Sequence, residues 1–173
     1  MEVFQKIRVF APDEWRDYRD LRLRALADSP DAFGSTLGRE LQFTDLEWVE
    51  RLAVGSKSDR DLPLVAELGG KLAGLAWARI EDAERGSATI YQMWVAPEAR
   101  RRGIGLALLE AAIKWARTAG VVRLQLRVTC GNSSAQRLYA RAGFSTVGDI
   151  EPLRPGSAVF TEGMLLEIGD DAA

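Results

Sequence analysis

The residues with the clearest chemical content are Arg100-Arg101-Arg102-Gly103-Ile104-Gly105-Leu106. A strand-like run stops at Pro97 before them, and a long amphipathic pattern begins near Gly105. Backbone N–H groups at a helix start lack intrahelical partners and carry partial positive charge, and glycines let an anion approach that backbone closely. With three arginines beside it, this turn reads as a seat for a phosphate or pyrophosphate, the alternative being a tight turn and nothing more. Two better-known phosphate loops are excluded. A P-loop needs Lys-Ser or Lys-Thr, which does not follow Gly105. The third glycine position of G-x-G-x-x-G is Leu108, and Arg123 and Gln125 stand where a ribose-binding acid belongs.

The chain contains no histidine, which removes imidazole bases, Ser-His-Asp triads and His-ligated metals. Proton transfer falls to Glu, Asp, Tyr, Lys, water or backbone. Cys130 is the sole cysteine, so the chain has no internal disulfide and no cysteine zinc site, and Cys130 reads as an inert small residue. No metal is expected. At 173 residues, 47% hydrophobic and 28% charged, residues 1–173 read as one globular domain. The net charge of -2 argues against non-specific binding to nucleic acid or an anionic membrane. Met1-Glu2-Val3-Phe4-Gln5-Lys6 lacks the design of a signal peptide, and no apolar run approaches the ~18 residues of a membrane span, so a cytoplasmic location is expected.

The elements that must position the arginine turn are marked by local signals. Residues 5–10 alternate as a first strand, and Pro12-Asp13-Glu14 open a helix carrying Trp15, Tyr18, Leu21, Leu23 and Leu26 that ends near Ser29-Pro30. Thr44-Asp45-Leu46-Glu47 is a capping box for a second helix with Trp48, Val49 and Leu52, and residues 30–43 connect the two. Residues 62–68 and 72–81 read as a hairpin around Gly69-Gly70. Residues 88–95 are the strand before the arginine turn. The following helix places Ile104, Leu108, Ala112, Trp115 and Ala116 on one stripe and stops at Gly120. Residues 123–128 form a strand, Asn132-Ser133-Ser134 cap a helix to Arg141 that Gly143 ends, and residues 144–148 and 158–168 supply the last strands. Residues 169–173 are expected to fray. The order is β-α-α-β-β-β-α-β-α-β-β, an α/β (α+β) chain.

Residues 93–148 resemble the GNAT superfamily of N-acetyltransferases. The resemblance rests on Met93-Trp94-Val95-Ala96-Pro97, on Arg100-x-x-Gly103-x-Gly105 matching the family's R/Q-x-x-G-x-G/A loop, and on Asn132-x-x-Ala135-x-x-Leu138-Tyr139-x-x-x-Gly143-Phe144. The two motifs stand in family order about 30 residues apart, and the matching segment is about a third of the chain. The resemblance implies a GNAT-like mixed, mostly antiparallel central sheet flanked by helices. That sheet splits between the strand before the loop and the strand after its helix, and the pantetheine arm of acetyl-CoA lies in the gap. It further implies that N–H groups of Arg101, Arg102, Gly103, Gly105 and Leu106 meet the pyrophosphate, with Arg100 and Ile104 in the same loop. Met93, Trp94 and Val95 would pair with pantetheine as an added strand would, placing Val95 N–H near the thioester oxygen. Asn132 and Ala135 would border the arm, although Asn132 serves equally as a helix cap. Tyr139 is implied as general acid for the departing thiolate, a phenol of pKa ~10 facing a thiol of ~8.5. Tyr91 stands where many relatives carry a basic glutamate; Glu81 and Asp82, ending the neighbouring strand, are the substitutes, acting through water.

Acceptor recognition is expected from Phe33 and its loop, Trp48, Trp77, Arg79, Tyr91, Gln92 and the connection 150–158. An exposed Arg79 would favour an acceptor bearing a carboxylate. The expected function is acetyl transfer from acetyl-CoA to a primary amine by direct attack in a ternary complex. The alternative is a non-catalytic acyl-CoA sensor or interaction module of the same fold, and a bare phosphate-binding α/β domain is a third reading. Acetyl-CoA and an amine are the expected partners, nucleic acid and membrane are not, and similar proteins commonly pair as homodimers, here through the last strands.

Overall fold

The computed structural model describes residues 4–169, so the expected frayed tail lies, apart from Gly169, outside the described residues. In chain order the elements are β1 (Gln5–Val9), α1 (Trp15–Asp28), α2 (Leu37–Glu40), α3 (Asp45–Lys57), β2 (Asp61–Leu68), β3 (Lys71–Asp82), β4 (Ser87–Val95), α4 (Ile104–Thr118), β5 (Arg123–Thr129), α5 (Ser133–Arg141), β6 (Ser145–Pro152) and β7 (Phe160–Glu167). The strands form one seven-stranded sheet in the order β1-β2-β3-β4-β5-β7-β6. Neighbours pair antiparallel except β4 with β5. The mixed, mostly antiparallel sheet flanked by helices is the expected one.

Local chemistry sets the helix starts. Thr44 Oγ1 accepts from Glu47 N–H at 3.2 Å while Thr44 N–H donates to Glu47 Oε2 at 2.7 Å, a reciprocal cap that satisfies two otherwise orphaned donors. Burial is continuous along β2 from Asp61 to Ala66 and along β3 from Ala73 to Ala78, a pattern that requires cover on both sheet faces. α1 and α3 pack on each other and on these strands, and α4 packs across β1 to β4 through Ile104, Leu108, Leu109, Ala112 and Ala116.

Two elements differ from the sequence expectation. The connection 30–43 contains the one-turn helix α2, capped by Thr36 Oγ1 accepting from Arg39 N–H at 3.2 Å. β6 runs on to Pro152 instead of stopping at Gly148, because a register shift between Val147 and Glu151 absorbs the glycine and lets pairing with β7 resume. Among the described residues no helix is long and apolar enough to cross a membrane.

Candidate active site

The parallel neighbours β4 and β5 stay paired for three positions only, Ser87 with Arg123, Ala88 with Leu124 and Thr89 with Gln125. Gln125 Nε2 donates to Thr89 Oγ1 at 3.1 Å, pinning the last pair. Beyond it the strands part. Gln92 has a left-handed φ of 56°, and Gln92 and Met93 together oppose Ala76, an extra residue that bends β4. Tyr18 Oη donates to Gln92 Oε1 at 2.8 Å and holds the bulge from α1. A cleft of about 690 Å³ occupies the opening, lined at this end by Ile90, Met93, Leu126, Val128, Ala135 and Tyr139.

The ladder shows which backbone groups face the gap. Ala96 N–H donates to Ala73 C=O at 2.8 Å, and successive residues of an antiparallel strand alternate between facing the partner and facing away. Val95 therefore turns its N–H and C=O away from β3 toward the gap. The C=O accepts from Arg100 Nε at 3.0 Å; the N–H has no acceptor among the described residues. On the opposite edge Cys130 N–H donates to Phe160 C=O at 2.9 Å, so by the same alternation Arg127 and Thr129 face the gap.

The arginine turn enters α4 through two left-handed residues, Arg101 (φ 61°) and Gly103 (φ 77°). No side chain caps α4, and the N–H groups of residues 101–106 have no acceptor among the described residues. A Cβ on Gly103 would meet nothing within 4 Å, so the approach to these amides is open. Arg101 and Arg102 are exposed. Arg100 is different: its Nη2 donates to Asp28 Oδ2 at 2.6 Å, and Trp94 Nε1 donates to the same oxygen at 2.9 Å. The Trp94 bond, then those from Ser29 and Arg100, hold the Asp28 carboxyl below the usual range despite its partial desolvation. The Arg100 side chain thus braces the turn against α1 and β4. Trp94 is buried and does not line the cleft, and the Ile104 side chain lies in the core, leaving only its N–H at the turn.

Tyr139 comes from α5, whose start is fixed by Asn132 Oδ1 accepting from Ala135 N–H at 3.2 Å. Its residue is 7% exposed, and its hydroxyl has no hydrogen-bond partner among the described residues. Burial alone pushes the phenol up to about 12. Asn132 also lines the cleft, whereas Cys130 does not.

Phe33, Trp77, Arg79, Tyr91 and Gln92, all expected at the acceptor end, line the cleft, and Trp48 does not. Arg79 is committed internally: its Nε donates to Asp61 Oδ1 at 2.7 Å, an oxygen that also accepts from Trp77 Nε1 at 2.8 Å. Tyr91 Oη donates to Glu81, so a carboxylate absent from β4 reaches the same place from β3. Burial, followed by that bond, raises the Tyr91 pKa. Sequence reading missed Arg22 and Glu40. Arg22 lies among Tyr18, Leu21, Ala25 and Leu26 on the buried stripe of α1, and a charged residue at a core-spaced helical position was the signal.

The geometry has close counterparts. The chain matches the model of the acetyltransferase (GNAT) family over residues 13–144. It is 33% identical over 135 residues to a mycothiol acetyltransferase of Clavibacter michiganensis subsp. michiganensis, covering 78% of this chain and 40% of that one, so it spans less than half that relative's length. To the ribosomal protein bS18-alanine N-acetyltransferase of Salmonella typhimurium it is 35% identical over 98 residues, 57% of this chain and 64% of that one. The fold superposes on a GNAT-family acetyltransferase from Streptococcus pneumoniae with a TM-score of 0.81 and 27% identity, over 96% of this chain and 100% of the other. Because the family match covers most of the chain and includes the splayed strands, the arginine turn and Tyr139, the chain belongs to the GNAT family of acetyltransferases.

Proposed function

We propose that the protein is an N-acetyltransferase that moves an acetyl group from acetyl-CoA to a primary amine while both are bound. The observation that carries this reading is the separation of β4 from β5, which turns the free N–H of Val95 away from β3 toward the gap, beside a cleft lined by Met93 and Tyr139.

The residues fit the cosubstrate. The open amides of residues 101–106, with Arg101 and Arg102 beside them, suit a pyrophosphate. The exposed backbone edges of β4 and β5 suit the amides of a pantetheine arm, which would pair as an added strand. Acetyl-CoA supplies the activated acetyl thioester. Val95 N–H donates to the carbonyl oxygen as charge builds on it, a type of donor worth roughly 2.7–4 kcal/mol. Tyr91 takes the amine's proton while passing its own to Glu81, which restores a basic carboxylate from the neighbouring strand. Tyr139 hydroxyl hydrogen-bonds the departing sulfur. Attack is direct, since Cys130 lies outside the cleft lining and no histidine is available.

The test is a thiol-release assay with acetyl-CoA against amino acids, peptides, polyamines and aminoglycosides. Release of CoA with at least one amine is expected. Binding of acetyl-CoA without release for any amine would favour a sensor, and absence of binding would remove the reading altogether.

A further inference from the structure

The far end of the cleft is lined by Arg22, Arg39, Arg51 and Glu40. Arg22 is 4% exposed and Glu40 1% exposed. Arg22 Nε and Nη2 clasp Glu40 at 3.1 and 2.9 Å, and Arg51 Nη1 reaches the same carboxylate at 3.2 Å. Burial opposes ionisation of Glu40, but the two guanidiniums outweigh it and hold its pKa below the usual range. One carboxylate therefore serves two arginines. Arg39 adds a third cation with no ion pair among the described residues. The other arginines of the cleft are balanced, Arg79 by Asp61 at 2.7 Å and Arg127 by Glu151 at 3.4 Å. Three positive charges against one negative leave this end at a net +2.

A second observation points the same way. Arg22 Nη1 is buried with no hydrogen-bond partner among the described residues, although its guanidinium lies over the Phe33 ring at 4.7 Å. Buried donors are nearly always satisfied, and an exception in a cleft marks a place where an acceptor belongs. Guanidinium groups pair best with planar oxyanions, above all carboxylates.

We propose that Arg22, Arg39 and Arg51 form the seat for a carboxylate carried by the acceptor, so the substrate class is a small amine bearing a carboxylate, such as an amino acid, and not a polyamine or aminoglycoside. This rests on the acetyltransferase reading and replaces Arg79, already neutralised by Asp61, as the acid-recognising residue. Glu40 fixes the orientation of Arg22 and keeps the seat from rejecting the amine by excess positive charge.

The experiment is calorimetric titration of the full chain, preloaded with CoA, with a panel of N-acetyl-L-amino acids and the matching N-acetyl amino acid amides. At least one acid is expected to bind tenfold or more tightly than its amide. Arg39→Gln and Arg51→Gln, which leave the buried Arg22–Glu40 pair intact, are each expected to weaken the acid at least fivefold and shrink the acid-to-amide ratio, with the affinity for acetyl-CoA retained. Equal affinities for acids and amides, absence of binding by any acid, or unchanged ratios in both variants would overturn the anion seat. Acetyl-CoA titrated alone separates the two failures: its failure to bind sinks the acetyltransferase reading, whereas acetyl-CoA binding beside indifferent acids sinks only the seat.

Discussion

Replacing Tyr139 with Phe tests the chemistry with little structural disturbance. The hydroxyl has no partner among the described residues, so its removal orphans no protein group, and the ring keeps its packing 6.2 Å from Phe144. Stability should stay within about 0.5 kcal/mol of wild type. The magnitude for catalysis follows from the proton balance. With the phenol pushed up to about 12 by burial and a thiol near ~8.5, complete proton transfer in the empty-cleft environment is uphill by roughly 5 kcal/mol. Tyr139 therefore acts chiefly by donating a hydrogen bond to the sulfur as negative charge develops. Such a bond to a charged group is worth about 1.5–3 kcal/mol, which converts to roughly 10- to 150-fold in kcat. The assay is thiol release at saturating amine and acetyl-CoA, with KM for acetyl-CoA measured in parallel and expected to change less than twofold. Wild-type kcat should not fall as pH rises through 10, because the phenol is still protonated there. An unchanged kcat in Tyr139→Phe, or a fall matched by lost stability, would refute the assignment.

Other outcomes follow from the same geometry. The folded Tyr139 pKa lies above its unfolded value of ~10, so its contribution is intact below pH ~10 and lost as pH rises toward 12, by about 2.7 kcal/mol in all. Urea unfolding of wild type and Tyr139→Phe at pH 8 and 11 should show a smaller alkaline loss in the variant. Gly103→Ala forces a side chain into φ 77°, costing about 1–2 kcal/mol of stability and biasing the turn away from the conformation that presents its amides; calorimetry should show acetyl-CoA affinity falling at least tenfold. Glu40→Gln leaves Arg22 buried without its counter-ion and should destabilise by about 3–5 kcal/mol in denaturant titration, with much of the loss recovered in Arg22→Met/Glu40→Met. Gly55→Ala sets a Cβ 2.3 Å from the Trp77 ring, and overpacking of that kind should cost about 1–3 kcal/mol in the same measurement.

What could be read from the sequence was local. The Thr44 capping box, the Asn132 cap and the Gly69-Gly70 hairpin each depend on residues within a few positions of one another, and each stands as expected. The arginine turn was legible because two glycines and a helix start are contiguous. The gap came only through the family resemblance and not from local signals, since it arises where a bulge at Gln92, held by Tyr18 from α1, meets a parallel pairing that ends at Thr89 and Gln125. The role of Arg100 was hidden for the same reason, because Asp28 lies 72 positions away. Arg79 looked free until Asp61 was placed opposite it across β2 and β3. Glu40 escaped notice because α2 is a single turn containing Gly38, with no hydrophobic period to announce it.

The most direct measurement is a ¹⁵N-resolved NMR titration of the protein with acetyl-CoA, following the amides of Val95, Gly103, Gly105 and Leu106. The account predicts that these four shift together at saturation and exchange their hydrogens more slowly, while amides of β1, none of whose residues line the cleft, hold still. Resonances of Val95 and the turn that remain unmoved by saturating acetyl-CoA would contradict it.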